Sequence, residues 1–544
     1  MAGSEIDRRD FIKTVLVGLG AFAIDWSAFP TATRAEGDDA YDAIIIGSGL
    51  GGLSCAAAFA RQGFKPLVLE MHDRPGGYAT TFNRPGGFVF DASLHSTVVD
   101  ERDGVRNLIG GFPEITDVKF VPHKGLYRAI FPEHDIRVPS RNVSAYIDLL
   151  AGHFPDERAG IEGLVKDMEG LSADIGKFSQ AQGQVDMSRF PVDFPYLFKC
   201  YSKTWGQLVD EWIKAPQLKA LVSSLWGYYG LPPSRLSCFY YALPTIGYLK
   251  EGGYYPVGKS QQLSNAFVRF IETHGGTVKL GNRVEKILVE NHAAVGVGTA
   301  DGKTYRARVV VSNANPFDTF RRMMPEEAEH LADYLAKMDR HSVSLSSFQV
   351  FLGLKKDLVR QLGIADTEVF FETGYDMDAS YGAAQRADFS NPGFGITFYD
   401  NLYEGYSPKG KNTVNIITLQ GYDHWEQFES DYFAGNKKAY RAEKERMADV
   451  LIGQAEKTIM PGLSKAIQVK EIGTPLTNLR YTGNHRGAVY GFDQTLDNSG
   501  MQRVPHDTPI KNLFLAGAWT RPGHGYTAVI WSGLECFGEI MRAW

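Results

Sequence analysis

The stretch Asp42-Ala43-Ile44-Ile45-Ile46-Gly47-Ser48-Gly49-Leu50-Gly51-Gly52 decides the fold. Ala43 to Ile46 is short, apolar and rich in β-branched residues, which predicts a fully buried parallel strand. Leu53 to Gln62 is alanine-rich and free of proline, so a helix follows at once, with its positive N-terminal end facing the glycine turn. Gly47 permits the tight turn, Gly49 lets phosphate groups approach the backbone, and Gly52 lets helix and strand pack closely, with Gly51 in the same loop. A nucleotide pyrophosphate is the expected occupant.

Working outward, Gly63 closes the helix, and Lys65-Pro66-Leu67-Val68-Leu69-Glu70 predicts a second strand ending in an acid. A carboxylate there can accept hydrogen bonds from an adenosine ribose and repels a 2′-phosphate, which selects FAD or NAD over NADP. Arg74-Pro75-Gly76-Gly77-Tyr78-Ala79-Thr80-Thr81 then decides between those two. A second glycine pair lets backbone amides reach the flavin side of a pyrophosphate, and Arg74 can neutralise phosphate charge. The expected cofactor is FAD, held by Gly47, Gly49, Gly51, Gly52, Glu70, Arg74, Gly76, Gly77 and Thr81.

Tyr254 to Gly258 opens a new unit, and Gln261 to Thr273 has helical apolar spacing ended by Gly275-Gly276. Short β-branched strands follow at 277–280, 284–289, 295–299 and 309–311, with Asp301-Gly302 as a hairpin turn. They read as a three-stranded insert over the adenine side, where Val284 can make a backbone contact. A third nucleotide piece, Asn512 to Gly517, is a buried strand ending in glycine, followed by Ala518 to Tyr526 and a helix from Ala528. Gly517, Gly525 and Tyr526 are therefore added to the cofactor residues.

These three pieces predict a discontinuous FAD domain over 36–120, 254–345 and 471–544. The material between them, 121–253 and 346–470, reads as a substrate domain inserted twice. Phe190, Phe194, Tyr196, Phe198, Tyr201, Trp205, Trp212, Trp226, Tyr228, Tyr229, Phe239, Tyr240 and Tyr241 could line an apolar cavity or form ordinary core.

The chain of 544 residues carries 57 basic against 63 acidic residues, which gives no broad positive field and excludes nucleic acid as an expected partner. Residues 1–35 differ from the rest. Arg8-Arg9 precede Phe11 and Lys13, and a run from Thr14 to Ile24 is too short for a ~20-residue membrane span. This reads as a twin-arginine signal, with small residues at Ala32 and Ala35 near a cleavage point. The expectation is an exported, periplasmic or extracytoplasmic protein in contact with the twin-arginine machinery, with the segment cleaved or kept as an anchor and some contact with a membrane surface. Cys55, Cys200, Cys238 and Cys536 are widely spaced without metal-ligand spacing. All four read as buried thiols, a Cys200–Cys238 bridge being the alternative; no metal site is expected.

Taken together, GSGLGGLSCAAAFARQGFKPLVLE, the segment from Asp73 to His95, YYPVG, VVVSNANP from Val309 to Pro316 and the segment from Leu513 to Gly533 resemble the family of phytoene desaturases, carotenoid isomerases and retinol saturases. The resemblance implies an α/β chain with an FAD-binding Rossmann-like (GR2-type) domain and an inserted α+β substrate domain. It also implies desaturation, saturation or cis-trans isomerisation of carbon–carbon double bonds in a carotenoid, a retinoid or another long apolar substrate. Arg486 to Asp493 is most similar to the saturase and isomerase branch, and the Gly517 to Gly525 turn to the bacterial desaturases. Two positions depart from the wider pattern: Tyr78, where flavin amine oxidases carry arginine, and Ser93, where the family often has glycine.

His95, His524 and Tyr526 are the candidates for proton transfer beside the flavin ring. Export makes a quinone or oxygen the expected electron acceptor. Two other readings stay open at this level: an amine oxidase releasing peroxide, and a non-catalytic FAD-containing carrier of lipid or pigment.

Overall fold

A computed structural model describes residue Trp26 and residues 41–93, 96–99, 105, 109–180, 185–186 and 188–544. Apart from Trp26, the segment 1–35, with Arg8 and Arg9, lies outside the described residues, as does His95.

Strand Tyr41–Ile46 sits at the centre of a parallel sheet whose order is Leu513–Leu515, Thr304–Ser312, Tyr41–Ile46, Pro66–Leu69 and Thr277–Lys279. Side chains alternate between two buried faces, which is why these strands read as continuous apolar runs rather than as a polar-apolar alternation. Ala43 and Ile45 face helices Leu50–Arg61, Ser260–Thr273 and Tyr526–Ala543. Ile44 and Ile46 face the other way, onto Val284, Ile287 and Val297 of the antiparallel extension Val284–Glu290, Ala293–Thr299 and Thr304–Ser312. Strand Thr304–Ser312 joins the two regions, pairing antiparallel through its start and parallel through its end.

A second seven-stranded sheet runs in the order Ile467–Gly473, Ser346–Leu354, Asn412–Gln420, Phe394–Thr397, Glu368–Phe371, Gly125–Ile130 and Asp135–Pro139. It is antiparallel except where Glu368–Phe371 meets Gly125–Ile130. Strand Ile467–Gly473 crosses position 470, so the chain is still in this sheet where the sequence suggested a return to the nucleotide domain. Phe348, Val350, Leu352 and Leu354 pack with helix Lys438–Thr458 on one face. The alternate residues Ser347, Gln349 and Phe351 point to the other face and floor a cavity.

Helices between Val143 and Glu251 build a separate apolar core. Most of the aromatic run belongs there: Phe190, Phe194, Trp205, Trp226 and Tyr241 are buried, and the Trp205 and Tyr241 rings stack at 4.3 Å. Phe198 is exposed, and Tyr228, Tyr229, Phe239 and Tyr240 reach the cavity wall. Packing of rings against rings consumed the rest. All four cysteines are buried and free, Cys200 and Cys238 included. Among the described residues no helix is long and apolar enough to cross a membrane.

Candidate functional site

A cavity of about 1150 Å³ opens between the two sheets. That exceeds the ~300–1,000 Å³ of ordinary ligand clefts and leaves room for a cofactor and a substrate together.

At one end three backbone loops meet. Gly47 (φ 92°) turns the chain out of the first strand, its N–H donating to the Leu69 carbonyl at 2.9 Å. Helix Leu50–Arg61 starts at Gly49 with no side-chain cap and no acid in its first turn, which leaves its first N–H groups and positive end free for an anion. Gly76 (φ 119°) donates to the Ser48 carbonyl at 2.9 Å, so the second glycine pair clamps onto the first loop. From the far end of the chain, a Cβ on Gly51 would lie 2.7 Å from the Gly517 Cα. The glycines are required because the three loops touch backbone to backbone.

Gly47, Gly49, Gly51, Glu70, Arg74, Gly76, Gly77, Thr81, Val284, Gly517, Gly525 and Tyr526 all line this cavity. Gly52 does not; a Cβ there would stand 2.3 Å from the Gly47 carbonyl oxygen, so its place is the helix–strand contact. Glu70 accepts from the Ser48 N–H (2.8 Å), the Ser48 hydroxyl (2.6 Å) and the His72 N–H (2.9 Å). One of about four acceptor sites stays open, and a second opens if the Ser48 hydroxyl rotates. Arg74 donates to the Thr81 carbonyl at 2.7 Å and ties the second loop to the following strand. An uncapped helix end, a cradle that no Cβ could enter and a carboxylate at the end of the second strand fit the phosphates and ribose of FAD.

Two residues in this region were not singled out from the sequence, although Asn313 lies within the VVVSNANP motif. Asn313, one residue past strand Thr304–Ser312, donates its N–H to the Ile46 carbonyl at 2.9 Å, and its amide group fills the space among Gly49, Gly51 and Gly517. Arg503 is fully buried and donates to the carbonyls of Phe492 (2.8 Å), Asp493 (3.1 Å) and Ala518 (2.6 Å). It fixes the turn after Gly517 to the segment before it. Burial lowers its guanidinium to about 10, still charged at neutral pH.

Around the last glycine turn the wall is aromatic. His524 stacks on Tyr490 at 4.1 Å and lies beside Tyr240 at 5.0 Å, and the Tyr240 hydroxyl donates to the His524 carbonyl at 2.7 Å. His524 Nε2 lies 3.3 Å from the Tyr228 carbonyl oxygen, which requires Nε2 to carry the proton and leaves Nδ1 an acceptor without a partner among the described residues. Burial, and then the charge of Arg503, push His524 down to about 3. It is a neutral, weakly basic ring. Burial and the Asp91 charge push the Tyr526 phenol well above its usual value, so it keeps its proton. Tyr78, half-buried, donates to the Ala488 carbonyl at 3.4 Å and links the glycine pair to the segment before Arg503.

Residues 50–534 match the family model of flavin-containing amine oxidoreductases. The chain belongs to that family. This flavoprotein is 26% identical over 525 residues to prolycopene isomerase 1 of an Oncidium hybrid cultivar, covering 94% of this chain and 85% of the other. It is 28% identical over 515 residues to the all-trans-retinol 13,14-reductase of Rattus norvegicus, covering 88% and 82%. Its fold is similar to that of cyclohexylamine oxidase from Brevibacterium oxydans, with a TM-score of 0.58 at 16% identity over 92% of this chain and 98% of that one. FAD is the cofactor of this oxidoreductase, and the two-sheet architecture is that of its family.

Proposed function

We propose that this flavoprotein desaturates, saturates or isomerises carbon–carbon double bonds in a long apolar polyene such as a carotenoid or retinoid. One observation carries the reading: beside the last glycine turn, the cavity wall of Tyr228, Phe239, Tyr240, Leu243, Val489 and Tyr490 offers continuous aromatic and aliphatic surface to an extended apolar chain. The relatives act on polyenes by their names, which supports it.

FAD in the glycine cradle supplies two-electron hydride exchange. The protein's residues do the remainder. Gly49, Gly76 and Gly517 would hold the cofactor through the backbone, and Glu70 would bind its ribose. The tyrosine wall excludes water from the reacting carbons. His524, neutral and anchored through Nε2, presents Nδ1 as a hydrogen-bond acceptor, and Tyr526 offers a retained proton. His95 remains a candidate for the proton-transfer role on its sequence position alone.

Anaerobic mixing with carotenoids, retinoids, unsaturated fatty acids and amines tests the assignment. A polyene should bleach the flavin band or emerge with altered double bonds. Bleaching by an amine and by no polyene overturns it in favour of an amine oxidase; polyene binding with no change in flavin or ligand overturns it in favour of a carrier.

We also propose export by the twin-arginine route, with a quinone or oxygen as electron acceptor. Arg8-Arg9 and the apolar run behind them support this. Replacing Arg8 and Arg9 with lysine should retain the protein in the cytoplasm, and sustained turnover with NADPH as sole donor would count against the acceptor assignment.

A further inference from the structure

The same cavity is also lined by Lys437, Arg441, Lys444 and Arg480. Lys437 caps the start of helix Lys438–Thr458, Arg441 and Lys444 follow at i+4 and i+7 from it, and Arg480 comes from helix Pro475–Thr482. None of the four has a carboxylate within ion-pair distance among the described residues. The nearby acids are engaged elsewhere: Glu443 with Arg446 and His424, Glu445 with Lys470, and Glu471 with Arg84. Aromatic rings lie beside three of the cations. Lys437 Nζ lies 3.9 Å from the Tyr432 ring centre, Lys444 Nζ 5.6 Å from that of Tyr440, and Arg480 Cζ 5.4 Å from that of Tyr481. Burial, and then the charges of Arg480, Arg441 and Lys444, hold the Lys437 ammonium below its usual value. Like charges gathered this way repel one another, and an anion among them removes the repulsion.

The sheet floor of Phe351, Ile417 and Leu419 lines the same cavity as these cations, Gly49 and Tyr490. We propose that this cationic mouth binds an anionic head, a carboxylate or a phosphate, of a substrate whose apolar chain runs along the sheet toward the flavin. The inference rests on the polyene reading and narrows it, since a hydrocarbon carotenoid or a free retinol has no such head.

Equilibrium dialysis of the FAD-loaded protein against retinol, retinoate and retinyl phosphate tests it. At low salt one or both charged ligands should bind about tenfold tighter than retinol, and that advantage should vanish at high ionic strength. The variant Arg441→Met/Lys444→Met/Arg480→Met should lose the preference and keep its FAD, while Lys457→Met, exposed near the far end of the same helix, should behave as the parent. If the triple variant fails to fold, Arg441→Met/Arg480→Met, which touches two exposed side chains, replaces it. Equal affinity for all three ligands, a preference that survives the substitutions, or loss of FAD from the variant each overturns the proposal; the last would assign the cations to the cofactor. A charge preference without any flavin reaction supports the anion site and removes the polyene chemistry. Turnover of neutral polyenes without a charge preference does the reverse.

Discussion

Gly52 shows how a single missing methyl can decide cofactor binding from outside the cavity. A Cβ there would meet a backbone oxygen at 2.3 Å, so relief requires the first helix to lift from its strand. Gly52→Ala is therefore expected to yield protein depleted in FAD by about tenfold or more, because the helix end that faces the phosphates moves with it; the ratio of visible flavin absorbance to protein absorbance checks this, and full occupancy would refute it. His524 acts by a different means. His524→Phe keeps a ring against Tyr490 and removes the open Nδ1 acceptor, so FAD content should hold while the rate of flavin reduction by a polyene falls about tenfold to hundredfold. Of these residues the glycines and His524 were readable, because a glycine turn between strand and helix has few other uses. The roles of Asn313 and Arg503 were not, though Asn313 stands in the VVVSNANP motif: only the folded chain shows that they meet backbone distant in sequence.

Helix Cys238–Glu251 illustrates what an element decides. Phe239, Tyr240, Leu243, Pro244, Gly247 and Tyr248 form its cavity face, while Cys238, Tyr241, Ala242, Ile246 and Leu249 are buried on the other side. A Cβ on Gly247 would meet only Val98, at 3.8 Å, so a larger side chain can grow into the cavity without disturbing the fold. Gly247→Phe should raise KM for a long polyene about tenfold or more and leave FAD content unchanged, since the chain is obstructed away from the glycine loops. A KM equal to the parent's would show that the substrate takes another path. The elements themselves were largely legible. The helix expected from Leu53 begins at Leu50, the helix expected from Gln261 begins at Ser260, and the last helix begins at Tyr526 rather than Ala528. Starts slipped by one to three residues because a helix begins where its N–H groups are released, at Gly49 and Gly525, and not where the apolar pattern becomes visible.

For the whole molecule, the substrate half is joined by a carboxyl group buried at the end of strand Glu368–Phe371, inside the second sheet. Glu372 accepts from Trp226 Nε1 at 2.8 Å and from the Ser380 hydroxyl at 3.2 Å, and burial raises it to about 7. Its folded pKa lies above its unfolded one, so between them the folded state holds the extra proton and stability falls as pH rises. Relative to Glu372→Gln, the parent should lose up to about 3 kcal/mol between about pH 5 and about pH 7. Thermal unfolding of both proteins across that range checks the sign; parallel curves would refute it. The sequence by itself determined the nucleotide fold and its cofactor, because the strand, glycine turn, helix and terminal acid are consecutive and each is dictated by local sterics or by the charge of the bound phosphates. Tertiary structure alone decided which aromatic residues face ligand, which carboxylates are occupied, and that four cations from two helices share one mouth. Those outcomes depend on contacts between segments far apart in the chain, and no local pattern encodes them.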